Sequence, residues 1–190
     1  RAATMNLSEA ANSSERLQRL SRGGVLGAGL LTLWVLMAAL TLAPGMLQLT
    51  FHDGDAIHLA ALVLRIAGGE LPHLDFMTPI GIGALWPVAV FVKLGAGLGT
   101  AFVLAQAALA ALLLPALWWV GMHRFGGGGS AFCFGAVSLV LAMALVHGGL
   151  EPHISVSMHY NRWAWAVSYV LLALILLPPG RPAPRVEGTI

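Results

Sequence analysis

Four of the eight acidic residues of this chain lie in one short segment, residues 51–83, which reads FHDGDAIHLAALVLRIAGGELPHLDFMTPIGIG. The acids of this segment are Asp53, Asp55, Glu70 and Asp75, and its histidines are His52, His58 and His73. Carboxylates can accept a proton from a hydroxyl group or bind a divalent cation through oxygen. Ionisable residues are costly within or beside a bilayer, so their concentration between two apolar segments indicates a functional site.

Asp53 and Asp55 form a D-x-D pair at the start of this segment. Either acid could simply cap a following helix and stabilise its positive end. Two acids one residue apart exceed the needs of a single cap, and such a pair can also bind a divalent cation such as Mg²⁺ or Mn²⁺. The two acids are therefore candidate catalytic and metal-binding residues. The alternative interpretation is a polar loop whose acids only cap a helix or face the solvent.

The composition predicts an all-α, polytopic membrane protein. The chain is 58% hydrophobic and 9% charged, with a mean hydropathy of +0.82. Several apolar runs approach or exceed the roughly 18 residues that a membrane span requires. Backbone groups in lipid must satisfy their own hydrogen bonds, which helices do. The net charge of +2 and the scattered basic residues argue against a nucleic-acid partner. The single cysteine, Cys133, excludes an internal disulfide.

We predict about five transmembrane helices plus one interfacial helix. Residues 1–23 form a polar cytoplasmic segment, 24–50 contain the first span, 51–78 form an external loop, 79–178 contain four further spans, and 179–190 form a polar tail. The spans themselves are placed at residues 25–47, 79–94, 100–121, 131–147 and 163–177. Four arginines before the first span predict a cytoplasmic N-terminus, so the acidic loop lies on the opposite side of the membrane.

The side on which the later connections lie is left open by the sequence. Strict alternation of five spans places the connection at residues 122–130 and the tail outside. However, Arg124, Arg181 and Arg185 favour the cytoplasmic side for these segments. One of the weaker segments could instead be re-entrant or horizontal.

The external loop contains a predicted interfacial helix at residues 55–68. Asp55, His58 and Arg65 fall within about 80° of one another on a helical wheel, and the rest of the circumference is apolar. This pattern predicts a helix that lies in the membrane interface and ends at Gly68-Gly69. Pro72 and Pro79 restrict the residues before them to extended geometry, which predicts a shaped loop after the helix.

Three short motifs of this region resemble a known family. They are D-G-D at residues 53–55, G-E-L-P-H-L-D-F at 69–76 and P-I-G at 79–81, with a weaker Y-N-R match at 160–162. The pattern resembles the N-terminal part of the C-type (GT-C fold) glycosyltransferases. These integral membrane enzymes use polyprenyl-phosphate-linked sugars and include protein mannosyltransferases and lipid A aminoarabinose transferases. Bacterial members read like D-E-G-Y, followed by G-x-x-P-Y-x-D-F-x-x-P-x-G-P.

The resemblance implies a role for each motif residue. Asp53 is implied to be the general base toward an acceptor hydroxyl, and Asp55 to support it or to bind Mg²⁺ or Mn²⁺. The residues implied to bind the substrate are Arg65, Glu70, Asp75 and Arg162. Arg65 and Arg162 are the candidates for phosphate contact, although each could equally anchor the chain among lipid headgroups.

The resemblance also implies a setting for the chain. The implied partners are membrane lipid and a polyprenyl-phosphate-linked sugar, in the inner (cytoplasmic) membrane of a bacterium. Family members run to several hundred residues with ten or more spans. We therefore expect this chain to be an N-terminal portion of such an enzyme, or a truncated relative.

Two other functions are compatible with the sequence. The chain could be a non-catalytic accessory subunit of a larger membrane protein complex, in which the acids are cap and interface residues. It could also bind or transport a metal through His52, Asp53, Asp55, His58 and His73. The spacing of these residues does not match a known zinc pattern, and transporters mostly place their acids near the middle of the bilayer. The metal-transport interpretation is therefore the weakest of the three.

Overall fold

The computed structural model of the chain describes residues 7–43, 48–49, 54–143, 146–147, 153–155 and 159–178. The described residues form six helices: α1 Leu7–Leu42, α2 Gly54–Ala67, α3 Ile82–Lys93, α4 Leu98–Arg124, α5 Gly128–Met143 and α6 His159–Leu176. The predicted all-α class is confirmed by these helices.

A small sheet, which the sequence analysis does not predict, connects the segments after α1 and after α5. Its strands are β1 Gln48–Leu49, β2 Val146–His147 and β3 His153–Ser155, in the order β1-β3-β2. β3 pairs in parallel with β1 and antiparallel with β2. The sheet therefore joins two connections that are about a hundred residues apart in the sequence.

One helix, α1, contains both part of the polar N-terminal segment and most of the first predicted span. It has 36 residues and ends at Leu42, five residues before the predicted end of the span. Pro44 explains the earlier end, because a proline disfavours helical geometry at the preceding residue and clashes with the carbonyl four residues earlier. The last backbone bond at this end joins Ala43 N to Ala39 O at 2.8 Å.

The long helices run in alternating directions. The indole of Trp34 in α1 donates to Ala107 O in α4 at 2.9 Å, and that of Trp118 donates to Gly23 O at 2.8 Å. Later residues of α1 thus meet earlier residues of α4, so the two helices are antiparallel. The helices α5 and α6 also contact each other. The rings of Phe134 in α5 and Tyr169 in α6 stack with their centroids 5.2 Å apart.

Two arginines bring three parts of the chain together at one end of the bundle. Arg22 in α1 donates through Nη2 to Phe125 O, directly after α4, at 2.8 Å. Arg124 donates through Nη1 to Leu177 O, directly after α6, at 3.1 Å. We call this the arginine end. The connection between α4 and α5 therefore lies beside the first half of α1, and the end of α6 lies beside the end of α4.

The opposite end, which we call the hairpin end, is built by α2 and α3 against the first turns of α4 and α6. His159, the first residue of α6, has its Nε2 3.1 Å from Ala84 O of α3. Its ring meets that of Phe102 in α4 edge to face, with centroids 5.1 Å apart. α2 and α3 contribute Val63, Leu85 and Val88 to the buried cluster at this end.

The predicted number of about five spans is not confirmed. Among the described residues, two helical segments are long and apolar enough to cross a membrane: Arg16–Leu42 and Leu98–Arg124, each of 27 residues. α3 has only 12 residues, because the chain is irregular until Gly81 and turns again at Gly95. It extends about 18 Å, whereas the hydrocarbon core of a bilayer is about 30 Å thick. The apolar run at residues 79–94 is therefore no simple span.

One buried amide inside the bundle allows a stability prediction. Gln106 in α4 is 1% exposed, and among the described residues neither its amide nitrogen nor its oxygen has a hydrogen-bond partner. We expect Gln106→Leu to raise the midpoint of thermal unfolding in detergent, because an unsatisfied buried polar group costs about 1–3 kcal/mol. Ser138→Ala is the control, since the buried Ser138 Oγ already donates to Phe134 O at 3.0 Å. A lower midpoint for Gln106→Leu would mean that the amide binds an internal water.

Candidate functional site

The helix predicted at residues 55–68 is confirmed as α2, and a glycine ends it in the way that the sequence predicts. Its position in the external membrane interface stays a prediction. Gly69 has a φ of +103°, a backbone conformation that glycine adopts without steric cost. Gly69 N donates to Ile66 O at 3.0 Å, and Glu70 N donates to Arg65 O at 3.1 Å. These two bonds are the Schellman arrangement of a helix end. They turn the chain sharply, so that the residues after the helix return toward Arg65.

Arg65 joins the end of α2 to both sides of the loop that follows, residues 68–76, which we call the Arg65 loop. Its Nε donates to Glu70 Oε2 at 2.7 Å, and its Nη2 lies 3.5 Å from Asp75 O. Its guanidinium carbon lies 4.2 Å from the centre of the Phe76 ring, within the range of a cation–π contact. Phe76 itself is buried in the cluster at the hairpin end. The Arg65 loop is therefore anchored to the bundle core through this ring.

Asp75 closes the loop upon itself. Its Oδ2 accepts a hydrogen bond from Leu71 N at 2.7 Å, while Asp75 N donates to Leu71 O at 2.9 Å. Between them, His73 has a φ of +66°, and His73 N donates to Phe76 O at 2.8 Å. Histidine is one of the few residue types enriched in this left-handed conformation. The loop is therefore compact and shaped, in agreement with the prediction from Pro72 and Pro79.

The structure brings together three of the four residues predicted to bind substrate. Arg65, Glu70 and Asp75 lie in the Arg65 loop, and the side chains of Arg65 and Glu70 remain 44% and 42% exposed. Arg162 lies in the first turn of α6, so it belongs to the same end of the bundle. Within the described residues, no hydrogen bond or ion pair joins Arg162 to the loop. The roles of these four residues in substrate binding stay predictions.

The structure describes little of the two predicted catalytic acids, Asp53 and Asp55. Asp53 and the neighbouring His52 lie outside the described residues, and so does the side chain of Asp55, whose backbone is in the first turn of α2. Among the residues that the structure does describe, no group of three or more His, Cys, Asp or Glu side chains could hold a metal ion. The prediction of a metal on Asp53 and Asp55 is therefore not tested by this result.

His159 is a residue at the hairpin end that the sequence analysis did not select. It is 1% exposed, and beyond its contacts with Ala84 and Phe102 it meets the ring of Trp163 edge to face at 4.6 Å. It thus connects α6 to both α3 and α4. The signal in the sequence is a histidine at the start of an apolar helix, beside the aromatic residues Tyr160 and Trp163.

Comparison of the chain with protein-family models, with curated proteins and with solved structures finds no match in any of the three. The functional argument therefore rests on the geometry of the hairpin end and on the motif resemblance of residues 53–81.

Proposed function

We propose that this chain is an integral membrane protein. The support is the distribution of its apolar surface. Only 11% of the most apolar stretch of α1 is buried, whereas the core helix of a soluble protein would be mostly buried. Large apolar side chains are also exposed on helices other than α1, including Leu112 at 75% and Ile175 at 77%. Such extensive exposed apolar surface is expected to meet lipid or other membrane proteins.

The orientation that we propose places the arginine end in the cytoplasm and the hairpin end outside. Four described basic residues lie at the arginine end, Arg16, Arg19, Arg22 and Arg124, and three lie at the hairpin end, Arg65, Lys93 and Arg162. This small excess favours the cytoplasmic side for the arginine end. The inner membrane of a bacterium is the location that the family resemblance suggests.

Cysteine labelling distinguishes this orientation from strict alternation of five spans. We would place single cysteines at the exposed residues His58, in α2, and Gly126, between α4 and α5, in a Cys133→Ser background. A reagent that cannot cross the membrane, applied from outside, is expected to label only the cysteine at residue 58. Strict alternation predicts that both positions are labelled from the same side, and that result would reject the proposed orientation.

Within this setting, we propose that the chain is a membrane glycosyltransferase or its N-terminal portion. It would transfer a sugar from a polyprenyl-phosphate donor on the non-cytoplasmic face. The observation that carries the proposal is the Arg65 loop, which holds a cation and two acids at one end of the bundle. The loop directly follows α2, and α2 begins at the D-x-D pair. The motifs that resemble the family therefore belong to one helix and the loop that follows it.

The chemistry requires three tasks of these residues. Asp53 would accept the proton of the acceptor hydroxyl as its oxygen forms a bond to the anomeric carbon of the sugar. The bond from that carbon to the phosphate oxygen would break, and Arg65 or Arg162 would offset the charge of the departing polyprenyl phosphate. Asp55 would help to hold Mg²⁺ or Mn²⁺, since two carboxylates suit such a cation beside a phosphate. A bound cation would supply further charge neutralisation.

A specific observation favours the second candidate, a non-catalytic accessory subunit of a larger membrane complex. Arg65 and Glu70 already pair with each other, and Asp75 is occupied in closing the loop. Two apolar side chains of the hairpin end, Leu74 and Met77, are 80% and 84% exposed. Exposed apolar groups beside a rigid loop would suit an interface with another protein.

A transfer assay separates the two candidates. The full protein would be purified from membranes and incubated with a radiolabelled polyprenyl-phosphate sugar and a membrane extract as the source of acceptor. The transferase proposal expects label to move from the lipid donor to an acceptor in proportion to the amount of protein. Absence of transfer, together with stable association of the protein with a larger membrane complex, would favour the accessory subunit.

A further inference from the structure

An apolar groove runs along the outside of the bundle between α1 and α4. Its volume is about 240 Å³, and its lining residues are Gly27, Leu30, Leu31, Leu114, Pro115 and Trp118. Gly27 lines the groove without a side chain, and a Cβ atom at this position would contact the Trp118 ring, 3.4 Å from its Cδ1. The two helices that line the groove are the two that are long and apolar enough to cross a membrane. In the membrane-embedded protein that we propose, the groove would therefore face the hydrocarbon region.

The lining of this groove has no polar group in need of a partner. The indole nitrogen of Trp118 is the one polar side-chain atom among the lining residues, and it already donates to Gly23 O at 2.8 Å. The other lining side chains are aliphatic or absent. An occupant must therefore be apolar along this part of its length, as an acyl chain is.

At the arginine end of the groove, α1 carries positively charged side chains instead of apolar ones. Arg16 and Arg19 lie seven and four residues before Gly23, so both lie on the face of α1 that carries Gly23. Both are exposed, and neither has a hydrogen bond or ion pair within the described part of the chain. Arg19 is about 12 Å from Gly27 along the helix axis. An apolar groove and two exposed cations are thus aligned on one helix face.

Two further arginines strengthen the positive potential at this end. Arg22 and Arg124 each donate to a backbone carbonyl, but the Nε atom of each is buried without a partner. No acid forms an ion pair with either guanidinium among the described residues, where the only such pair is Arg65 with Glu70. Both arginines are half-buried, and their positive charges add to those of Arg16 and Arg19, so an anion close to this end would be stabilising.

We propose that the groove between α1 and α4 binds one anionic phospholipid of the leaflet at the arginine end. One acyl chain would lie along Gly27 and Leu31, and the phosphate headgroup would lie at Arg16 and Arg19. The proposal rests on membrane embedding and on the proposed orientation, but it does not depend on sugar transfer. A chain that transfers no sugar would still bind this lipid.

Native mass spectrometry of the purified chain in detergent tests the proposal. Phosphatidylglycerol and phosphatidylcholine with the same acyl chains would be added in separate titrations. We expect one equivalent of phosphatidylglycerol to bind in preference to phosphatidylcholine. Arg16→Gln and Arg19→Gln should each weaken phosphatidylglycerol binding about fivefold, because a basic residue near an anionic lipid surface contributes about that much. Lys93→Gln, at the hairpin end, should leave it unchanged.

A second pair of variants tests the groove itself. Gly27→Leu should fill the groove and remove the bound lipid, whereas Gly24→Leu should not, since a Cβ atom at Gly24 meets nothing within 4 Å. If Gly27→Leu does not fold, Leu31→Trp would fill the groove from its exposed edge. Equal binding of the two lipids to the wild-type chain would overturn the proposal. It would equally be overturned if Gly27→Leu and Leu31→Trp abolished a dimer, since the groove would then belong to a second copy.

Discussion

Asp53→Asn is expected to lower sugar transfer about 10²- to 10⁴-fold, which is the typical contribution of general acid–base catalysis. Asparagine keeps the shape and much of the hydrogen-bonding capacity of aspartate but cannot accept the acceptor proton at neutral pH. Membrane insertion and the thermal unfolding midpoint should remain close to those of the wild-type protein. The measurement is the transfer of labelled sugar from polyprenyl phosphate by the purified full protein and its variant.

Asp55→Asn is the matched comparison, because the two acids are separated by one residue. Replacing either acid with asparagine removes one negative charge. If Asp55 only caps α2, its loss should cost about 1 kcal/mol of stability and leave turnover nearly intact. If it helps to hold a divalent cation, turnover should fall and should recover in part with added Mg²⁺ or Mn²⁺. Wild-type turnover by Asp53→Asn would reject the catalytic assignment and favour the accessory subunit.

Local signals predicted the helices whose ends are determined by nearby residues. The external helix was predicted at residues 55–68 and is found at Gly54–Ala67, because Gly69 supplies the positive φ at its end. α4 was predicted at residues 100–121 and is found at Leu98–Arg124. In both cases an apolar run is bounded by glycine or by polar residues, so local composition was enough to identify the helix.

Features that depend on distant contacts were not predictable. Residues 79–94 form a single apolar run, and hydropathy alone cannot show that the ordered helix α3 has only 12 residues. The direction of the later helices depends on Arg22 and Arg124, each of which contacts a residue far away in the sequence. Of the three basic residues that favour the cytoplasmic side, Arg124 lies at the arginine end, whereas Arg181 and Arg185 lie outside the described residues.

The candidate site was predictable as a cluster of residues but not as a set of contacts. The sequence indicated that Arg65, Glu70 and Asp75 belong together, and the structure places all three in one loop. It could not show that Arg65 pairs with Glu70, because that contact requires the sharp turn at Gly69. Whether this is an active site or a structural loop therefore depends on the polar atoms of these three side chains that the contacts within the loop do not use. Those atoms are the ones that could bind a substrate.

Gly135→Ala is expected to destabilise the bundle by about 1–3 kcal/mol, the usual cost of overpacking a well-filled core. A Cβ atom at Gly135 in α5 would overlap Cδ2 of Leu30 in α1 and would lie 3.1 Å from its Cδ1. Leu30 is 1% exposed, and both of its methyl groups would have to move toward the groove between α1 and α4 to make room for the new Cβ atom. Thermal unfolding of the purified variant in detergent should show a lower midpoint than that of the wild-type chain.

Gly24→Ala provides a control of opposite sign. Gly24 is also inside a helix, but a Cβ atom there meets nothing within 4 Å. Alanine is favoured over glycine in a helix by up to about 1 kcal/mol, so this variant should unfold at an equal or higher temperature than wild type. The contrast between the two alanines separates the effect of the α1–α5 contact from that of helix propensity.

A double-mutant cycle with Leu30→Ala tests the mechanism. Leu30→Ala alone should cost about 2–5 kcal/mol through the cavity that it leaves. In the double variant, the methyl group at position 135 has room, so the combined loss should be smaller than the sum of the two single losses. Additive losses would contradict a direct contact between Gly135 and Leu30. They would indicate that α1 and α5 do not pack closely at this point.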